Sequence, residues 1–197
     1  NRKNIWPEWN LSNLQSSDIK KDLIYPSWFE GNWIVTSEDL VETFRDPVIY
    51  KVNFFKSKSG EILGDRVRNS ESIGKAIFGE KLEQIKIDPK SFNNQIIYLD
   101  DNQYIESRVT GRSQIYKDNL FFADEFFIQT AHKEGISRIN QVEIVSKFFK
   151  CESDINQDDS SICGEQYTAS YGSRVGNQNI ESISKNKYKL TFTFVKN

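Results

Sequence analysis

Tyr25-Pro-Ser-Trp-Phe-Glu-Gly-Asn-Trp-Ile-Val-Thr-Ser-Glu38 is the stretch around which the rest of the chain is organised. A turn-like Tyr25-Pro26-Ser27 runs into the aromatic pair Trp28-Phe29. Gly31-Asn32-Trp33 follows, and then a run of strand formers. Gly31 allows the backbone a tight corner where a side chain would collide. Trp33 offers a large apolar plate that can close one end of a barrel.

Downstream the chain reads as strands separated by short turns. Residues 33–38 form the first strand, 48–55 the second, and Lys58-Ser59-Gly60 a tight hairpin turn. A third strand is predicted over 61–69. Ile73, Ala76 and Ile77 then fall at helical spacing, which predicts one short helix over 70–79, capped at its start by Asn69 or Ser70 and at its end by Gly79. Strands resume at 82–88, 95–99, 104–116, 120–130, 138–151, 165–173 and 188–195. Turn signals stand at Asp100-Asp101-Asn102, Lys117-Asp118-Asn119 and Lys133-Glu134-Gly135, and a bulge or break is expected at Gly111. Residues 174–186 read as a loop.

About ten strands with one helix predict an all-β fold, an antiparallel up-and-down β-barrel of the lipocalin-like kind. Residues 1–24, with Trp6 and Trp9, read as an N-terminal arm, and 25–197 as a single barrel domain.

Composition supports this and excludes other classes. The 197 residues include 14 Phe, 8 Tyr and 4 Trp, an aromatic bias that favours strands. Lys+Arg of 26 against Asp+Glu of 28 gives a net charge of -2, so no basic field suggests nucleic acid. No apolar run approaches the roughly 20 residues of a membrane helix. The absence of Met places Asn1 after a removed export leader or a trimmed end. Cys151 and Cys163 flank an acidic, Ser-rich stretch, and an even count across one short loop suits a disulfide in an oxidising compartment. Two free thiols in a reducing compartment are the alternative.

The blocks Tyr25 to Ser37, Gly64-Asp-Arg-Val-Arg-Asn69 with Ile73-Gly-Lys-Ala-Ile-Phe-Gly79, and Glu106-Ser-Arg-Val-Thr-Gly-Arg112 resemble a family of cyanobacterial and plastid proteins that carry leader peptides. The resemblance covers about residues 25–150 and is weaker after Cys151. It implies a lipocalin-like barrel in the thylakoid lumen or periplasm of a photosynthetic organism, with no assigned catalytic residues. In architecture the chain is also distantly similar to the S-type and T-type bilin lyases, through Gly31-Asn32-Trp33 and the successive hairpins. Likeness of fold does not transfer an activity.

Alternation along the strands selects the candidate site. Gly64, Arg66 and Arg68 share a face of the third predicted strand. Glu106, Arg108, Thr110 and Arg112 share a face of the long central one, and Glu125, Phe127 and Gln129 a face of the next. Turned inward, Arg66, Arg68, Arg108 and Arg112 would need carboxylates or an anionic ligand, because an unpaired buried charge is costly. Glu106 and Glu125 are the candidate partners, and Trp33 the floor. Turned outward, the arginines are solvated charges beside acidic neighbours.

The inward arrangement predicts a pocket for an amphipathic anion: a lipid, a carotenoid-derived acid or a bilin propionate. No catalytic constellation is legible. His132 is the only histidine and reads as an exposed turn residue; no metal motif stands out. The expected function is therefore non-enzymatic: binding a hydrophobic or pigment-like anion, or assisting a photosynthetic complex and its subunits. A bilin lyase is the enzymatic alternative. Docking through the aromatic arm with Trp6, Trp9 and Trp28 is the third.

Overall fold

The structure, a computed structural model, describes residues 19–151, 161–172 and 182–195. Trp6 and Trp9 lie outside the described residues. Ten strands form one antiparallel sheet: β1 (Gly31–Asp39), β2 (Val48–Lys56), β3 (Ile62–Gly64), β4 (Leu82–Asp88), β5 (Ser91–Leu99), β6 (Gln103–Lys117), β7 (Leu120–Lys133), β8 (Ile136–Lys150), β9 (Ile162–Tyr171) and β10 (Ser182–Phe194). The spatial order is β3-β2-β1-β10-β9-β8-β7-β6-β5-β4. Apart from β3 and β4, strands consecutive in sequence lie side by side, and β10 returns to pair with β1. The sheet curls into a barrel-like shell whose two ends, β3 and β4, are not paired with each other. One helix, α1 (Arg66–Phe78), joins them and packs on both β2 and β4.

The helix begins earlier than its apolar spacing predicts, and the third strand is correspondingly shorter. Asp65 caps it, its carboxylate accepting from the Arg68 backbone N–H at 3.2 Å. Arg66 and Arg68 therefore sit on a helix, and the strand alternation that placed them on one face does not apply. Polar side chains of α1 satisfy the edge of β2 where β3 stops. Asn69 accepts from Asn53 N–H at 2.7 Å and donates to Asn53 O at 3.0 Å, and Ser72 Oγ accepts from Lys51 N–H at 2.9 Å. A sheet edge needs such cover, because its unpaired amides and carbonyls invite another chain. On its other side Gly74 lets α1 approach β4: a methyl group there would lie 2.8 Å from Ile85 Cδ1.

The inner face carries the core: Phe29, Trp33, Val35, Val52, Phe54, Phe121, Phe148, Leu190 and Phe192. Trp33 is 2% exposed, donates from its indole N–H to Phe29 O at 2.7 Å and packs edge-on against Phe194. Three hairpins turn on residue pairs with positive φ: Asp101-Asn102, Asp118-Asn119 and Glu134-Gly135. This backbone twist matches that of the flanking strands. Residues 182–186, expected in a loop, belong to β10 and pair with β9.

Candidate functional site

Of the residues singled out in the sequence, Arg66, Arg112 and Glu125 lie inside the sheet and Glu106 and Arg108 outside it, while Arg68 and Trp33 belong to neither group. What parts Arg108 from Arg112 is one residue of β6. Val109 pairs with Phe127 and Gly111 with Phe126, so Thr110 is an extra residue in the ladder. A bulge of this kind breaks the two-residue alternation. Glu106 and Arg108 point to the outer face and are exposed, whereas Arg112, 6% exposed, points inward. The shared face expected for Glu106, Arg108, Thr110 and Arg112 is therefore split.

The inner cluster joins four elements. Arg112 Nε donates to Glu125 Oε1 at 2.7 Å, and Arg112 Nη1 donates to Lys21 O at 2.7 Å. Arg66 Nε donates to Asp22 Oδ2 at 2.6 Å, and its Nη2 pairs with Asp22 Oδ1. Arg66 Nη2 also lies 3.7 Å from Glu125 Oε1, and Arg112 Nη1 lies 4.0 Å from Asp22 Oδ1. Both guanidiniums sit over the ring of Phe92, 5.5 and 5.6 Å from its centroid. Two cations thus meet two carboxylates, and the charges of these four residues balance.

Burial alone would lower Arg66, but the hydrogen bond and charge of Asp22, with Glu125 behind them, outweigh it and raise its pKa. The Tyr25 hydroxyl is pushed far up, first by burial and then by the charge of Glu125. Beneath the cluster lies a cavity of about 200 Å³, lined by Tyr25, Tyr50, Phe54, Ile73, Phe148 and Phe192 among others. That is smaller than the roughly 300–1,000 Å³ of ordinary small-molecule sites.

The outer site is larger. A groove of about 650 Å³ runs across β4 to β7. Strand register sets its lining in two rows: Lys86–Ile96–Glu106–Thr130, and beside it Asn94–Arg108–Ile128. Ile87 and Pro89 add apolar wall at one end. Glu106 is turned toward His132, with 3.2 Å between Oε2 and Nε2. Among the described residues Arg108 forms no ion pair.

His132 lies within β7 and not in the turn. Its ring stacks on Tyr104 with centroids 4.2 Å apart, and its Nδ1 is 2.9 Å from Ser137 Oγ. Arg68 is exposed on α1, away from both sites. Trp28 is half-buried, stacked on Phe29. Cys151 and Cys163 form a disulfide, which accounts for both cysteines of the chain.

A family model described as Domain of unknown function (DUF6816) matches residues 36–195. The chain belongs to that family. The matched span runs from within β1 to the residue after β10, and includes Arg66, Arg108, Arg112 and Glu125. No curated protein matches the chain, and no solved structure does.

Sequence reasoning missed Asp22, because it lay in a stretch read as an arm without strand or helix spacing. It missed Lys86, Ile96 and Ile128 because only register brings them beside Arg108. Glu143 was missed as well. It is fully buried on the outer face and accepts from Tyr171 Oη at 3.0 Å. Its place in an alternating strand between Val142 and Ile144 gives no signal. Among the described residues no three His, Cys, Asp or Glu side chains converge as metal ligands would, and no helix is long and apolar enough to cross a membrane.

Proposed function

We propose that this member of the DUF6816 family is a non-enzymatic binding protein for an amphipathic anion, held in the outer groove across β4 to β7. The observation that carries the reading is the groove of about 650 Å³ beside Arg108, a guanidinium that forms no ion pair among the described residues. Its volume falls within the usual range for small-molecule sites. Ile96 and Ile128 offer apolar contact, and Lys86 adds a second cation at the rim. Two carboxylates, Glu106 and Asp88, share the lining; Glu106 lies 3.2 Å from His132 Nε2 and Asp88 accepts from Lys90 N–H at 2.8 Å, so the ligand's head group falls to Arg108.

A guanidinium on a carboxylate makes two parallel charge-assisted hydrogen bonds, which fix the ligand's orientation. Fatty acids, carotenoid-derived acids and a tetrapyrrole propionate all present this chemistry. The Cys151–Cys163 bridge supports residence in an oxidising compartment, a lumen or periplasm.

The test is a fluorescence titration with cis-parinaric acid. A charge-assisted hydrogen bond contributes about 1.5–3 kcal/mol, so Arg108→Gln should weaken binding about tenfold to a hundredfold. Arg68→Gln, at a residue that does not line the groove, should leave it unchanged. Equal affinity of the Arg108→Gln and parent proteins would refute the assignment.

A further inference from the structure

The inner cluster carries a different inference, independent of the groove. Residues 19–25 cross the shell between α1 and the β5–β7 wall. They are fastened largely by side chains of other elements. Arg112 donates to Lys21 O, Asn93 Nδ2 donates to Ile19 O at 2.6 Å, and Gln114 Oε1 accepts from Ile24 N–H at 2.8 Å. Among the described residues its backbone-to-backbone bond to another element is at its far end, from Tyr25 N–H to Ile62 O at 2.9 Å. A segment held this way opens at lower free energy than a strand inside the ladder.

At its centre Asp22 presents a carboxylate to Arg66 in the paired, two-bond geometry by which an arginine holds a carboxylate ligand. Arg112 stands behind at 4.0 Å. Directly beneath is the aromatic-lined cavity, of which Asp22 and Arg66 form part of the wall. Leu23, 4% exposed, follows Asp22 into the core as an apolar side chain follows a head group. Asp22-Leu23 therefore has the two chemical parts of a small amphipathic acid, seated on an internal anion site.

We infer that residues 19–25 are a displaceable strap, and that Asp22 and Leu23 occupy an internal site for a short-chain monocarboxylate. When the strap lifts, the acid's carboxylate takes the place of Asp22 on Arg66, and its alkyl chain enters the space of Leu23 and the cavity below. The carboxylate replaces a carboxylate, so the charge balance with Arg112 and Glu125 is kept. A chain of six to ten carbons suits the small interior; a larger pigment does not.

The test uses the full chain and sodium octanoate, with octanol and octylamine as controls. In Asp22→Ala the carboxylate position on Arg66 is vacated, and only Leu23 has still to move aside for the alkyl chain. Octanoate should raise the thermal midpoint of this variant and bind it about tenfold or more tighter than it binds the parent, which must first open its own strap. Octanol and octylamine should do neither. All the proteins compared carry Arg108→Gln, which weakens the outer groove, so the parent in this test is Arg108→Gln alone. Adding Arg66→Gln to Asp22→Ala in that background should abolish the effect.

Should Asp22→Ala fail to fold, the parent protein gives the second readout. Saturating octanoate should increase hydrogen exchange at 20–25 while leaving the β7–β8 ladder protected. Octanoate binding that ignores Arg66, equal binding by Asp22→Ala and parent, or unchanged exchange in the strap at saturation would each overturn the inference.

Discussion

Arg108 and Arg112 lie four residues apart on one strand and face opposite sides of the sheet. Their partners in the ladder, Ile128 and Glu125, are only three apart, because Thr110 has no counterpart on β7. That extra residue gives the protein one guanidinium inside and one outside. Deleting Thr110 would restore plain alternation and force one of the two arginines through the sheet. Stranding Arg112 away from Glu125 should cost about 3–5 kcal/mol, the usual penalty for breaking a buried pair. Thr110→Gly, which keeps the residue count, should cost about 1 kcal/mol at most. Urea unfolding of both variants checks this, and similar midpoints for the two would contradict it.

Glu125, like Asp22, is a carboxylate that both interior arginines approach. Glu125→Gln keeps the shape and removes the charge, leaving Arg112 with less than it needs. A loss of about 3–5 kcal/mol is expected. The exposed pair Arg45 and Glu42, on the turn after β1, should contribute less than about 1 kcal/mol. Chemical denaturation of Glu125→Gln and Glu42→Gln side by side measures the difference.

Alkaline pH should weaken the fold through its interior phenols. Burial pushes Tyr50 up to about 12. Tyr25 is raised too, by burial first and by Glu125 next. A phenol ionises near about pH 10 in the unfolded chain. The folded state therefore holds these protons more tightly than the unfolded state does. Their contribution is complete below about pH 10 and is lost as pH rises toward the folded values. The unfolding midpoint of the parent should fall between about pH 9 and about pH 12, and Tyr50→Phe should fall less over the same window. Parallel curves for the two proteins would count against this role.

The disulfide joins the end of β8 to the start of β9, where Phe149 pairs with Cys163. It closes a short loop, for which chain-entropy arguments give about 3 kcal/mol. Reduction, or the Cys151→Ser/Cys163→Ser double variant, should lower stability by that order without unfolding the sheet. Far-ultraviolet circular dichroism with and without reductant would show it: the strand signal should remain while the thermal midpoint drops.

Most of the architecture was legible because its signals are local. Gly31 sits at φ 128° with the ring of Phe194 2.5 Å from where a methyl group would be, so only glycine fits the corner before Trp33. Asp118-Asn119 and Glu134-Gly135 carry turn chemistry in two residues each. The start of α1 is masked in the sequence because Arg66-Val67-Arg68 alternates like a strand, whereas the deciding feature is Asp65 as a cap. The site was only half legible. Arg66, Arg112 and Glu125 meet as the need to pair buried charge requires, but their ion-pair partner Asp22 lies 44 residues from Arg66 in a stretch without periodicity. The bulge expected at Gly111 is present, with Thr110 as the extra residue between Val109 and Gly111; carrying alternation straight through it put Arg108 and Arg112 on one face, and the bulge separates them.

Backbone amide chemical shifts, followed by NMR as sodium dodecanoate is added to the parent protein, test the outer groove most directly. The account predicts saturable shifts centred on Lys86, Ile96, Arg108 and Ile128 that disappear in Arg108→Gln. Shifts confined to other parts of the shell, or unchanged by that substitution, would contradict it.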